Sequence, residues 1–250
     1  MVAVGGALAL PWAGCSADEG PKPAFDWPSA AGRDRAYAWD PAPLSPVTAV
    51  SELRIEADAP RTESSASAAG PAVRRHDRWH LALASAGEGH ITREVRSRVG
   101  EAPERVERSE SVLRGGELAT RTGGGAFLAR PATDPWVDRL ARPGRDFDQL
   151  LVEAGLIGAP VASEGEALGR RGRRLAWSAP GAEAEVLVDG VTGVALKADL
   201  RLDRPAHRVR LSYALSAIGE AVSVPRVEAV APDRDRPLPR RARLLDGLGP

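Results

Sequence analysis

The chain has 250 residues with 34 basic and 34 acidic side chains, so its formal net charge is zero. Because nucleic-acid binding usually depends on an excess of basic charge, the composition argues against a nucleic-acid partner. The single cysteine excludes an internal disulfide, and an aromatic content of 4% means that Val, Leu, Ala and six tryptophans must build the core.

An apolar stretch at the N-terminus ends at the only cysteine, Cys15. The small residues Ala13 and Gly14 before it are typical of a lipoprotein signal peptidase site, where the cysteine thiol receives a diacylglyceryl group. The stretch has the length of a signal-peptide apolar region and is too short to span a bilayer, although no Lys or Arg precedes it. We predict a signal peptide over 1–14 and an acyl anchor such as palmitate on Cys15. The alternative is a buried N-terminal strand with an incidental cysteine.

The segment 15–46 is rich in proline and is predicted to be a tether. Four aromatic residues interrupt it, which is more than a pure linker needs in a chain with so few aromatics: Phe25, Trp27, Tyr37 and Trp39. We expect part of the tether to pack on the edge of the domain. A binding role for these rings is the alternative.

From residue 47 onward, the dominant pattern is alternation. The stretch 53–57 alternates Leu, Ile and Ala with charged residues, and the pattern recurs over 79–83, 91–99 and, more weakly, 106–113. Alternation with charges on one side predicts antiparallel strands that have one solvent-exposed face.

One amphipathic helix is predicted in the middle of the chain, ending near Gly155. Its apolar face is formed by residues at i, i+3, i+4 and i+7, namely Phe147, Leu150, Leu151 and Ala154. A second, short helical turn is predicted at 134–136, where Asp can cap the turn and Pro suits the first helical position.

The final third returns to alternation, over 173–177, 183–188, 194–202 and 209–215, with a tight turn at 189–193. Apolar residues lie on one face of these strands, and Arg, Lys and Asp lie on the other.

The order of elements predicts a mainly β, α+β domain over 47–225. We expect a curved antiparallel sheet or half-barrel, with one or two helices covering its concave apolar face. The remaining residues, 226–250, form a Pro/Arg-rich tail that is either disordered or lies along the domain edge.

Two segments resemble the Lol-type lipoprotein carrier superfamily and related envelope lipoproteins. The stretch 189–197 resembles that family's hairpin D-x-x-T-G-x-P-L-R, and 209–225 resembles its closing strand Y-S-D-Y-G-x-P-V-x-I-x-x-P. The resemblance implies a half-barrel of antiparallel strands with helices lidding an apolar cavity. Related proteins hold acyl chains or whole lipids there, bind lipidated proteins in transit, or act as envelope sensors.

Motifs for catalysis and metal binding are weak. The sequence has no Gly-x-Ser-x-Gly, and Cys15 is assigned to lipid. His76 and His80 lie in a strand-like run, which favours a solvated pair over a metal site, and the glycine runs lack the Lys-Ser/Thr of a phosphate-binding loop. The basic run 170–174 is interpreted as a solvated loop, with anionic headgroups as the alternative partner. We predict no catalytic residue, no metal and no cofactor. An enzyme built from scattered residues is the remaining alternative.

The prediction is therefore a non-enzymatic lipoprotein of the bacterial cell envelope that binds a lipid or other apolar ligand. Its partner is the membrane through Cys15, and Ser16 is compatible with the outer membrane, facing the periplasm. An envelope sensor or protein-interaction lipoprotein with a filled core is the alternative. The expected ligand-binding residues are apolar: Phe147, Leu150, Leu151, Val186, Val188, Leu196, Leu200, Leu211 and Tyr213.

Overall fold

The computed structural model describes residues 37–57, 71–132, 136 and 139–232. Helix α1 (Arg142–Glu153) lies between two groups of strands along the chain. The strands are β1 (Val47–Ala57), β2 (Val73–Ser85), β3 (Glu88–Val99), β4 (Arg105–Arg114), β5 (Glu117–Thr122), β6 (Phe127–Pro131), β7 (Val161–Ala167), β8 (Arg170–Ala179), β9 (Ala182–Asp189), β10 (Ala195–Arg204), β11 (His207–Ile218) and β12 (Ala229–Pro232).

All twelve strands belong to one sheet, in the order β12-β6-β5-β4-β3-β2-β1-β11-β10-β9-β8-β7. Every pairing is antiparallel except that of β12 with β6. The sheet is curved and open, since in the described part of the chain its outermost strands are β12 and β7. The predicted fold class is confirmed.

The position of α1 follows from this order. Strands β6 and β7 lie toward opposite edges of the sheet, so the chain that joins them, including α1, must cross the sheet. The side that α1 covers is called the inner face below. Alternate residues of β1, from Val47 to Ala57, are buried on the inner face, and β11 repeats the pattern from His207 to Leu215. Period-two burial therefore gives the sheet one covered face and one exposed face.

The predicted apolar face of α1 is buried as expected. Phe147 and Leu150 have no exposed surface, and Leu151 and Ala154 are buried beside them. Of the short helical turn predicted at 134–136, the described residues include only Trp136. It is helical and is buried in the same core.

The segments before β1 and after β11 both pack on the sheet. Tyr37, Trp39 and Leu44 of the predicted tether are buried in the core, and Ala38 forms a parallel bridge with Val194. At the other end, Val224 and Val227 pack against a small cluster on β4, β5 and β6 before β12 begins. These segments therefore cover the sheet rather than extend away from it.

The sequence analysis did not identify β12, which lies in the predicted tail 226–250, nor the three strands β5, β6 and β7. Strand β7 has the sequence VASEGEA and is mostly exposed, so it shows no apolar alternation. Strands β5 and β6 have only six and five residues, too short to display a period clearly. Pairing with neighbouring strands makes all three part of the sheet.

The turn between β9 and β10 is closed by the buried carboxylate of Asp189. It accepts two hydrogen bonds from Arg170, at 2.8 and 3.0 Å, and two from the backbone N–H and hydroxyl of Thr192. Burial alone raises the pKa of the Asp189 carboxyl, but these hydrogen bonds outweigh it and bring the pKa down to about 2. The stretch 189–197, which resembles the Lol-type hairpin, thus has a structural role here, because the Asp189 carboxylate joins the turn to β8.

We expect Asp189→Asn to lower the free energy of unfolding by about 1–3 kcal/mol, because the charged acceptor of several buried hydrogen bonds is lost. Since the pKa is lowered in the folded state, the stabilisation by Asp189 is present above pH ~4 and is lost as the pH falls toward about 2. Urea denaturation at pH 7 and at pH 3 measures both effects. Asp199→Asn is the control, because its ion pair with Lys197 is about half exposed. Equal losses for both variants would contradict this role of Asp189.

Candidate functional site

The predicted ligand-binding residues lie together in one buried core, with relative exposures of 0–8%. A side chain that lines a space large enough for water would keep some accessible surface. In this conformation the nine residues therefore pack against protein atoms: Phe147, Leu150, Leu151, Val186, Val188, Leu196, Leu200, Leu211 and Tyr213.

An aromatic cluster fills the space between α1 and the sheet. The ring of Trp39 lies 5.4 Å from Phe147 on α1, 5.4 Å from Tyr213 on β11 and 5.3 Å from Tyr37, measured between centroids. The Trp39 indole N–H and the Tyr37 hydroxyl each donate to a different carboxylate oxygen of Asp148, both at 3.2 Å. Trp39 thus joins the N-terminal segment, α1 and the sheet.

A row of polar side chains crosses the inner face next to this cluster. Ser51 on β1 pairs in register with Tyr213 on one side and with Trp79 on the other, and Trp79 pairs with Arg93 on β3. The Tyr213 hydroxyl and the Trp79 indole nitrogen are both buried, and neither has a hydrogen-bond partner among the described residues. Burial also raises the pKa of Tyr213 well above its usual range. Two unsatisfied polar atoms on one buried row are unusual, because buried polar groups are nearly always hydrogen-bonded.

A group of charged residues, the inner charge cluster, adjoins this row: Arg75, Asp77, Arg93, Arg142 and Asp146. Asp77 is 5% exposed and accepts two hydrogen bonds from Arg93, one of them at 2.8 Å. Arg75 lies 3.5 Å from the same carboxylate, measured from its terminal nitrogen. The Arg75 Nε is buried without a hydrogen-bond partner in the described structure.

Helix α1 places the other two charges over this region. Arg142 and Asp146 lie one helical turn apart, with 3.8 Å between the Arg142 Nε and a carboxylate oxygen. Burial raises the pKa of Asp146, and the negative charge of Asp77 adds to the effect. Burial lowers the pKa of Arg142, and repulsion by Arg93 adds to that shift. The surroundings therefore disfavour the charged form of both residues.

The inner face is thus divided in two. The strands β8 to β11 and β1 present mainly apolar side chains, as predicted, whereas β2 and β3 present apolar side chains together with Arg75, Asp77 and Arg93 of the inner charge cluster. The sequence analysis treated the covered face as apolar throughout. The sequence contained a signal for a buried charge. In a strand, Asp77 and Trp79 lie on the same side, opposite His76, so burial of Trp79 implies burial of Asp77.

His76, His80 and His90 lie on the outer face of the sheet, whereas His207 is buried on the inner face. The His76 Nε2 is 3.6 Å from Glu52, and the His90 Nε2 is 2.9 Å from Glu110. Two grooves on the outer face, of about 350 and 400 Å³, are lined mostly by Arg, His and Glu side chains. Within the described ranges, no group of three or more His, Cys, Asp or Glu side chains is placed to hold a metal ion.

Cys15 and the predicted signal peptide lie outside the described residues. Among the residues that are described, no helix has the length and apolar character needed to span a membrane.

Comparison with known proteins gives similarities to solved structures but no sequence match. A scan against protein-family models finds no match, and a search of curated proteins finds none. Among solved structures, the chain is similar to a β-barrel-like protein of domain of unknown function DUF1849 from Brucella abortus. The two share 9% identity with a TM-score of 0.25, and the match covers 68% of this chain and 97% of that chain. At these values the similarity carries no argument about family or activity.

Proposed function

We propose that this chain is a non-catalytic binding protein of the bacterial cell envelope that holds a lipid or other apolar ligand between α1 and the inner face. The observation that carries this proposal is the pair of unsatisfied polar atoms, on Tyr213 and Trp79, at the border of the apolar wall. A ligand with an apolar body and a polar end would contact the apolar wall and supply the missing hydrogen bonds.

Such a ligand must displace α1, because the apolar residues beneath the helix are already in contact with protein atoms. The helix is suited to this displacement. Its apolar side packs through Phe147 against Trp39, whereas its polar side places the partly exposed Arg142 and Asp146 near the charges of β2. The polar side adds little apolar burial, so α1 is held less firmly than it would be by a wholly apolar interface. In this proposal α1 is a lid, in agreement with the resemblance to the Lol-type carriers.

Attachment to the membrane through a lipid on Cys15 completes the proposal. The small residues at positions 13 and 14 and the apolar stretch before them support it, and Ser16 is compatible with the outer membrane. A bound lipid would then be held close to the bilayer from which it came.

A second candidate is an envelope sensor or protein-interaction lipoprotein that binds no lipid. The complete burial of the nine predicted ligand residues favours it, because a filled core needs no ligand. The two candidates differ in what the protein carries. Mass spectrometry of lipids that co-purify under gentle extraction with the form lacking residues 1–15 should find a bound lipid for the first candidate and none for the second.

Tyr213→Phe tests the same proposal through stability. Without lipid, we expect the variant to be more stable by about 1–2 kcal/mol, because an unsatisfied buried hydroxyl is removed. Added lipid should raise the unfolding temperature of the variant less than that of the wild type, because the variant lacks the hydroxyl that would hydrogen-bond the lipid. Thermal unfolding with and without added lipid measures both changes.

The control for Tyr213→Phe is Tyr37→Phe, because the Tyr37 hydroxyl has a partner in Asp148. This control should lose stability in the absence of lipid, because that hydrogen bond is removed. A stability loss in lipid-free Tyr213→Phe as large as that of the control would mean that the Tyr213 hydroxyl is already satisfied, and would remove the main support for the proposal.

A further inference from the structure

We propose that the inner charge cluster is a binding site for the anionic headgroup, phosphate or carboxylate, of the lipid held beneath α1. This inference rests on the proposed function and specifies the chemical class of its ligand. The cluster borders the apolar residues of the inner face, so a lipid could place its acyl chains on β8 to β11 and its headgroup against β2 and β3.

The balance of charge favours an anion. Three arginines, Arg75, Arg93 and Arg142, face two carboxylates, those of Asp77 and Asp146, which leaves one positive charge in excess. Pairing within the cluster is uneven. Arg93 holds both oxygens of Asp77, whereas Arg75 approaches the same carboxylate at 3.5 Å. Of the two arginines that pair with Asp77, Arg75 is therefore the less closely held.

Donors without acceptors lie at the same place. The Arg75 Nε and the Trp79 indole nitrogen are buried N–H donors that have no partner in the described part of the protein. Trp79 is 4% exposed and follows Arg75 and Asp77 on the same side of β2. Both orphaned groups are donors, so the missing partner must be an acceptor. Phosphate and carboxylate oxygens accept several such bonds at once, and arginine matches their geometry.

The site also has access to solvent. The side chains of Arg75 and Arg142 are 34% and 37% exposed, whereas Asp77 at the bottom is 6% exposed. A headgroup could therefore remain near the surface while the acyl chains are buried. This arrangement suits an amphiphile better than a wholly apolar molecule.

The test compares two lipids that differ only in the headgroup. The full chain, in a neutral detergent, is offered an equimolar mixture of dioleoyl phosphatidic acid and dioleoylglycerol, and native mass spectrometry counts each bound species. We expect the phosphatidic acid to be preferred by about tenfold or more, because hydrogen bonds to a charged group favour it. Arg75→Gln and Trp79→Phe should each reduce the preference several-fold, because each removes a donor to the phosphate.

Arg54→Gln is the matched control, since Arg54 is an exposed arginine on the outer side of β1 and should leave the preference unchanged. Arg75 is chosen over Arg93 because Asp77 keeps its two bonds from Arg93 in the variant, so the fold is retained. Circular dichroism and the unfolding midpoint of each variant verify this.

The outcomes separate this inference from the proposed function. If the wild type binds both lipids equally, or if Arg75→Gln keeps the full preference, the headgroup site is wrong and lipid binding still stands. If neither lipid binds, the proposed function itself is wrong, and the headgroup site falls with it. A third arm titrates inorganic phosphate alone. Binding of free phosphate without any preference between the lipids would overturn the assignment to a lipid headgroup.

Discussion

Trp39→Ala is expected to lower the free energy of unfolding by about 3–5 kcal/mol, the usual loss when a large buried aromatic side chain is truncated. Trp39 is 5% exposed and contacts Tyr37, Phe147 and Tyr213. The substitution leaves a cavity beneath α1 and removes one of the two aromatic donors to Asp148. Urea denaturation followed by far-UV circular dichroism measures the loss without depending on tryptophan fluorescence.

Trp39→Phe is the informative companion variant. It keeps a ring against Phe147 and Tyr213 but loses the indole N–H, so we expect the smaller loss of about 1–2 kcal/mol. A loss below about 1 kcal/mol for Trp39→Ala would show that the segment before β1 is not part of the core. It would also return residues 37–46 to the tether that the sequence alone predicts.

Gly144→Ala should destabilise the protein by about 1–3 kcal/mol, although alanine is the better helix former. Gly144 is the third residue of α1 and lies against Trp39. A methyl group at this position would lie 1.9 Å from the Trp39 Cγ, which is far inside contact distance. Either the indole or the helix must move, so local propensity and tertiary packing predict opposite signs. Thermal or chemical unfolding decides between them.

Gly124→Ala is the control for this substitution. Nothing lies within 4 Å of a methyl group there, and its backbone does not require glycine, so the free energy of unfolding should change little. Increased stability of Gly144→Ala would mean that α1 does not press on Trp39. If α1 is a lid, Gly144→Ala should also raise the rate of lipid exchange, because the helix is displaced without loss of the apolar wall.

Much of the architecture was predictable because its signals are local. In extended chain, successive side chains point to opposite sides, so alternation over 53–57 and 209–215 identified the strands and their buried faces. The spacing of Phe147, Leu150 and Leu151 identified the apolar face of α1, because residues three and four apart lie on the same side of a helix. Strand β7, which lies at the sheet edge with polar residues on both sides, gave no such signal.

The candidate site was only partly predictable. The apolar wall followed from alternation, but whether those residues enclose a ligand or form a filled core depends on what covers them. In the structure Trp39 and α1 cover them. The hydrogen bond from Trp39 joins residues 109 positions apart, and no periodicity in the sequence carries information over such a separation. The inner charge cluster was unpredictable for the same reason. Asp77 and Asp146 are far apart in the sequence and become neighbours only after the chain has crossed the sheet.

The sequence by itself determined most of the strands, the helix and which side of each is apolar, because backbone geometry imposes those periods within a few residues. Only the tertiary structure decided that Tyr37 and Trp39 belong to the core, that α1 brings Arg142 and Asp146 over Arg75 and Asp77, and that Tyr213 and Trp79 are left without partners. The physical reason is that these contacts depend on where distant segments meet. Their positions are set by strand order and by the path of α1 across the sheet.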